Sequence, residues 1–275
     1  MSAAAMTSDP FAHPRQRNRT RLVSDDSGRP SVLKEYTHLC GEDVRALSKI
    51  EHRLRSTGVP MPEMLDWSAE PPTTVHEYLD GEHRTDPTPE MIDAAAEVFA
   101  KQLKVLRRTS APWVPRRPVG LPTRSREAAH AARSSSLRDA IVGSWHRISE
   151  LAASHPWTTT HGDWRADNLL YADNAVLAVL DWEVLISVPV AEAVGYAAAS
   201  LTHSWRPDLR APVDPSTVVT FIHSAERHHA LAPGETGHAR LAALHVAAVR
   251  LAEDEADGLD APTLSELTRH LGARR

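Results

Sequence analysis

Cysteine is nearly missing from this chain, which carries only Cys40 in 275 residues. A single thiol closes no internal disulfide, so a disulfide-framed scaffold is excluded and a reducing, cytoplasmic setting is expected. No motif surrounds Cys40, and it reads as a small, partly buried side chain rather than a nucleophile. Runs of 18 apolar residues are absent, which excludes a membrane-spanning helix. The opening MSAAAMTSDPFAHPRQRNRT has no apolar stretch of the kind a secretory signal carries, and residues 1–18 read as a loose arm. Lysine is scarce, four against 27 arginines, so a lysine in an apolar setting stands out, and Lys34 is one.

Apolar residues make up 41% of the chain, the proportion of a globular protein with enough length for two modest cores. The net charge of −5 is uneven: residues 1–150 carry +2 and residues 151–275 carry −7. So acidic a C-terminal half argues against a nucleic-acid platform, which needs a basic face. It suits a cationic small molecule, or is simply a solvated acidic surface.

Apolar periodicity divides the chain in two. Strands are expected at Arg21–Asp25 and Ser31–Tyr36, joined by a turn at Asp26-Ser27-Gly28-Arg29. A helix over Glu42–Ser56 places Val44, Leu47, Glu51 and Leu54 on one face and stops at Gly58 and Pro60. Strands near Glu63–Trp67 and Thr73–Tyr78 complete a β-β-α-β-β pattern. Beyond Gly81 the pattern is mainly helical: Pro89–Arg108, Arg124–Arg133, Ser136–Ser154, Val190–Thr202, Pro215–Ala230, Glu235–Ala256 and Thr263–Leu271. The Pro- and Arg-rich stretch from Ala111 to Pro122 reads as a loop. Within this half, Thr158–His161 is a short strand, and Leu169–Tyr171 with Val176–Leu180 forms a hairpin around Asp173-Asn174.

The segment richest in chemistry is His161-Gly162-Asp163-Trp164-Arg165-Ala166-Asp167-Asn168. Thirteen residues past Asn168, after the apolar run Val176–Leu180, comes Asp181-Trp182-Glu183. HGDWRADN resembles the HGDxxxxN catalytic loop of the aminoglycoside phosphotransferase and choline kinase superfamily, itself similar to protein kinases. DWE resembles that superfamily's metal-binding acidic segment. The resemblance covers about residues 18–200 and implies an α+β, two-lobed protein-kinase-like fold. Its small β-sheet lobe with one helix would lie within residues 1–80, and its mainly helical lobe within 81–275. The implied activity is transfer of a phosphoryl group from ATP, with Mg²⁺, to a hydroxyl of a small molecule.

Phosphoryl transfer needs positioning and charge neutralisation more than covalent chemistry. By the resemblance, Asp163 orients the acceptor hydroxyl and takes its proton. Asn168 and Asp181 supply oxygen ligands to Mg²⁺, and Glu183, two residues beyond Asp181, faces the same way. Arg165 stands where protein kinases carry a lysine and would neutralise the moving phosphoryl group. His161 joins this catalytic group as a brace for the loop. Val32-Leu33-Lys34-Glu35-Tyr36 resembles the strand whose lysine grips the nucleotide phosphates. Its helix partner would be Glu51 or Glu42. Val75–Gly81 resembles the hinge between lobes, where the Glu77 carbonyl and the Leu79 amide would read the adenine.

The chain departs from the family pattern in lacking a glycine-rich phosphate loop, for which Asn18-Arg19-Thr20 is the candidate substitute. After Asp181 it reads Ser187-Val188-Pro189…Glu192 instead of Gly-Asp-Pro…Asp. Acceptor recognition falls to C-terminal residues such as His203, Trp205, Glu226 and the acidic run Glu253–Asp257. Trp164 and Trp182 flank the catalytic acids as an apolar wall or as core. An aminoglycoside or related antibiotic is the leading acceptor. A choline-like, amino-alcohol or sugar acceptor is the rival, and a nucleotide-binding regulator without turnover is a further one. A metal-dependent hydrolase built on His161, Asp163 and Asp181 would leave Lys34 without a role. Oligomeric state is not legible.

Overall fold

Strand β1 (Asn18–Ser24) pairs antiparallel with β2 (Pro30–Tyr36), and the sheet order is β1-β2-β4-β3. Strands β3 (Met64–Ala69) and β4 (Pro72–Glu77) complete it, also antiparallel. This computed structural model describes residues 18–24, 28–107, 109, 111, 113–114, 122–204, 211–257 and 263–271. The expected arm before Asn18, the turn residues 25–27 and Trp205 lie outside them.

Between β2 and β3 runs α1 (Gly41–Ser56), and its 3/4-spaced face buries Val44, Leu47, Ile50, Glu51 and Leu54. Asp43 accepts from the Cys40 amide at 3.0 Å, which satisfies a donor ahead of the first turn. Glu42 and Asp43 in the first turn and Arg53 and Arg55 in the last complement the helix dipole. Beyond the helix, the Pro60 carbonyl accepts from the Val179 amide at 3.0 Å, tying this part of the chain to the C-terminal half.

The C-terminal half is built from α2 (Pro89–Leu106), α3 (Pro122–Ala131), α4 (Ser135–Ala152), α5 (Val190–Ser200), α6 (Pro215–Arg227), α7 (Thr236–Asp257) and α8 (Leu264–Leu271). Thr88 caps α2 through its hydroxyl, with Pro89 at the first helical position, where a missing N–H costs nothing. Asp214 caps α6 in the same way. Two small antiparallel ladders sit among the helices. Strand β6 (Leu169–Ala172) pairs with β7 (Ala175–Val179) around Asp173, whose φ of 53° suits a tight hairpin. Strand β5 (Trp157–His161) pairs with β8 (Leu185–Pro189).

The periodicity reading locates every one of these elements except β8. That strand is five residues long, ends in a proline and pairs with a strand well back in the chain, so no local signal marks it. No described helix is long and apolar enough to cross a membrane.

Helices α5 and α7 meet through small residues. A Cβ on Gly195 would lie 2.3 Å from the Ala239 carbonyl oxygen and 2.7 Å from the Ala242 Cβ. Gly195→Ala therefore forces two packed backbones apart and is expected to lower unfolding stability by about 2 kcal/mol. A urea titration reads this directly, and an unchanged midpoint would show that the helices slide apart freely.

Candidate active site

Strand β5 delivers His161 to the start of the HGD segment, and α2 fixes it there. Buried Gln102 of α2 donates from Nε2 to Thr160 Oγ1 (2.8 Å) and accepts from the His161 amide at Oε1 (3.2 Å). The next residue needs a close approach: Gly162 N donates to Val184 O at 2.6 Å, and a Cβ there would sit 2.8 Å from Ile186 Cγ2. The HGD and DWE segments are therefore pressed together backbone to backbone.

His161 lies between them and has both ring nitrogens engaged. Nδ1 accepts from the Asp163 amide (3.1 Å), and Nε2 donates to the Leu180 carbonyl (2.7 Å). An amide only donates and a carbonyl only accepts, so the partners assign the neutral Nε2–H tautomer. Burial holds its pKa below the ordinary value. Trp164 and Trp182 flank it edge-on at 6.0 and 5.0 Å between ring centroids, and Trp164 packs on Phe99 at 4.9 Å. Both tryptophans are core rather than an exposed wall.

Asp163 is gripped from two sides. Arg165 contacts it with a fork, Nε to Oδ1 at 2.5 Å and Nη2 to Oδ2 at 2.6 Å. Asn168 Nδ2 donates to its Oδ2 (3.0 Å) and to its backbone oxygen (2.8 Å). With that NH₂ spent, Asn168 has only its Oδ1 to offer a cation. A single turn of 3₁₀ helix (Ala166–Asn168) places the asparagine. Arg165 is 5% exposed and also reaches Asp167 Oδ2 at 3.1 Å. Burial opposes its charge, but the two aspartates raise its pKa above the ordinary value. The resemblance points Arg165 at the moving phosphoryl group, yet the side chain is turned inward onto Asp163, where a planar guanidinium matches the carboxylate.

The third group comes from the N-terminal sheet. Lys34 Nζ sits 2.7 Å from Asp181 Oδ1 and 2.5 Å from Glu183 Oε1, 147 and 149 positions along the chain. Asp181 adopts φ 62°, a left-handed conformation that costs a non-glycine residue about 1 kcal/mol. Asp181 and Glu183 converge through a turn, with Val184 N donating to Asp181 O, and not along a strand as the spacing suggests. The two acids differ in setting. Glu183 has a side chain only 3% exposed, and burial, with Asp181 alongside, pushes its pKa up despite Lys34. The Asp181 side chain is 42% exposed; desolvation works against its charge, but Lys34 holds it below the ordinary range. For Lys34 itself the two carboxylates outweigh burial, and its pKa is raised. Asn18 Nδ2 adds a bond to Glu183 Oε1 (2.7 Å), and Trp113 Nε1 donates to the Glu183 carbonyl (3.2 Å).

The expected partner of Lys34 is corrected here. Glu51 is buried on the inner face of α1, but its Oε2 lies 3.0 Å from His76 Nε2 of β4. Glu42 is exposed in the first turn. Glu77 ends β4, where its amide and side chain both engage Glu63 and its chain continues to Leu79. His203 is buried below the loop, its carbonyl accepting from the Ala166 amide at 3.0 Å. Glu226 accepts from Thr236, and Glu255 from the Arg133 amide, contacts between helices rather than with the loop. Sequence reasoning misses Gln102, His83 and Trp113, though a lone amide on the apolar stripe of α2 is a usable signal.

The Asp181 and Glu183 carboxylates around the Lys34 ammonium, with the Asn168 amide on the adjoining loop, offer oxygen donors suited to a hard cation such as Mg²⁺. Among the described residues no three His, Cys, Asp or Glu side chains form a ready cage. Asp181 and Glu183 would supply only part of such a cation's coordination, leaving positions for water or other oxygens.

A sheet-plus-helix lobe set against a mainly helical one, with the HGD loop and the β6–β7 hairpin between them, is a kinase-like architecture. The sequence matches the phosphotransferase enzyme family over residues 11–217, and the chain belongs to that family. Among solved structures, amicoumacin kinase in complex with AMP-PNP, Ca²⁺ and Ami superposes with TM-score 0.63 at 10% identity, covering 93% of this chain and 85% of that one. A microcompartment-associated aminopropanol kinase gives 0.62 at 14%, covering 94% and 86%. Choline kinase LicA from Streptococcus pneumoniae gives 0.54 at 11%, covering 98% and 92%. No curated protein matches the chain.

The neutral, buried His161 makes stability depend on pH. Because its folded pKa lies below the ordinary 6.5, the unfolded chain binds a proton that the folded one refuses. Its stabilisation is thus complete above about pH 6.5 and declines as pH falls below it. Urea midpoints at pH 7.5 and 5.5 should fall further for the wild type than for His161→Gln. Parallel declines would show that His161 titrates normally in the fold.

Proposed function

We propose that this protein transfers the γ-phosphoryl group of ATP to a hydroxyl of a small, amine-bearing molecule, with an aminoglycoside or related antibiotic as the leading acceptor. The observation that carries this reading is the meeting of Lys34 with Asp181 and Glu183 beside Asp163 and Asn168. Family membership supports a small-molecule phosphotransferase. The AMP-PNP in the amicoumacin kinase complex favours ATP as donor. The acidic C-terminal half favours a cationic acceptor. Aminopropanol and choline kinases of the same fold keep a smaller amino-alcohol acceptor as the second reading.

In this scheme the sheet lobe ends near residue 80, and the nucleotide lies between the lobes. The hinge at Glu77–Leu79 takes the adenine through backbone groups, and Lys34 takes the phosphates. Asn168 Oδ1, Asp181 and Glu183 would hold Mg²⁺, which would supply neutralisation of phosphate charge. Asp163 orients the acceptor hydroxyl and receives its proton. Arg165 fixes the Asp163 carboxylate through its fork and, with Asp167, keeps a buried cation paired. His161 holds the backbone of Asp163 against the DWE segment. The setting is the ATP-rich cytoplasm.

ADP release in Mg²⁺ across aminoglycosides, other cationic antibiotics, amino alcohols and sugars tests the reading. Turnover is expected with one class, and Asp163→Asn, which keeps the side chain's size but turns an NH₂ toward the donors of Arg165 or Asn168, is expected to lower it by about 10²-fold or more while nucleotide affinity persists. Full turnover in that variant would remove Asp163 from the chemistry, and a wild type that binds no nucleotide would overturn the kinase reading.

A further inference from the structure

The connector that leaves the sheet after Gly81 touches strand β6 and the end of the HGD loop through two successive residues. Glu82 exchanges both backbone hydrogen bonds with Tyr171, at 3.0 and 2.9 Å. Next to it, His83 Nδ1 lies 3.1 Å from the Ala166 carbonyl oxygen and 3.1 Å from the Leu169 carbonyl oxygen. Both partners only accept, so Nδ1 carries the proton and donates to the two together.

Those carbonyls bracket the turn that carries Asn168. Ala166 and Leu169 are fully buried, so water does not readily replace the imidazole as donor. Asn168 in turn connects in two directions. Its side-chain amide goes to Asp163, and its backbone carbonyl accepts from the Leu180 amide at 2.9 Å, one residue before Asp181. One imidazole thus holds the turn from which both the Asp163 carboxylate and the Asp181 segment are set.

We infer that His83 is a positioning residue: it fixes the turn so that Asn168 presents its amide oxygen to the cation, and so links the interlobe connector to the cation site. The inference rests on the phosphotransferase reading and goes beyond it by assigning a role to a residue outside the HGD and DWE segments. Residues that orient a ligand without touching the metal commonly change metal affinity by an order of magnitude or more.

Three substitutions separate positioning from simple packing. In His83→Asn, the amide nitrogen falls near the Nδ1 position and keeps a donor for both carbonyls. In His83→Leu no donor remains; His83→Gln, whose amide lies nearer the Nε2 position, removes the same bond if leucine disrupts folding. The readouts are the Mg²⁺ concentration for half-maximal AMP-PNP binding and hydrogen exchange of the amides at 168–170 in the nucleotide-free protein. His83→Leu is expected to raise the Mg²⁺ requirement about tenfold and to speed exchange in the turn, and His83→Asn to recover most of both. A leucine or glutamine variant with an unchanged Mg²⁺ requirement would overturn the positioning role while leaving the kinase reading intact. A wild type that binds no AMP-PNP at any Mg²⁺ concentration would overturn both.

Discussion

One ammonium held between two carboxylates organises this molecule. Lys34 belongs to the N-terminal sheet, Asp181 and Glu183 to the turn after the β6–β7 hairpin, and their contacts of 2.7 and 2.5 Å close the cleft between the two halves of the chain. The triad is unbalanced by charge, with one cation against two acids. The imbalance is tolerated because the two acids ionise differently. The half-exposed Asp181 is held charged, and the buried Glu183 is pushed towards protonation. Deleting the ammonium would remove the partner that holds Asp181 charged and would push Glu183 further towards protonation.

Around this triad the HGD loop is held by hydrogen bonds from several directions. Gln102 and Gly162 fix where the loop leaves β5, and His161 joins it to the DWE segment through two hydrogen bonds. Arg165 and Asn168 leave the Asp163 carboxylate little rotational freedom. Catalysis of phosphoryl transfer depends on positions more than on reactive groups, and a loop held at this many points suits it.

Much of this is legible in the amino-acid sequence, and the boundary has physical causes. Lys34 stands out as a lone lysine in an apolar strand of a lysine-poor chain, and the HGDxxxxN spacing marks Asp163 and Asn168 together. The hairpin at Asp173-Asn174 is readable because its turn residues tolerate positive φ. Partners are harder to read. Periodicity shows that Glu51 is buried but not that its neighbour is His76 on a strand 25 residues away. Residue type marks Arg165 as a guanidinium for phosphate, whereas its direction depends on the fold of a loop with irregular backbone. His83 lies in a polar connector without periodicity, and its contact with carbonyl groups leaves no mark in side-chain patterns.

The central claim is that the Lys34 ammonium and a divalent cation serve the same two carboxylates. Thermal unfolding of Lys34→Met, with and without Mg²⁺ and in the absence of nucleotide, tests it most directly. The account predicts that the variant melts below the wild type in EDTA and that Mg²⁺ raises its midpoint by several degrees more than it raises that of the wild type, because the cation takes over the charge the lysine supplied. Equal shifts in the two proteins, or none in the variant, would contradict it.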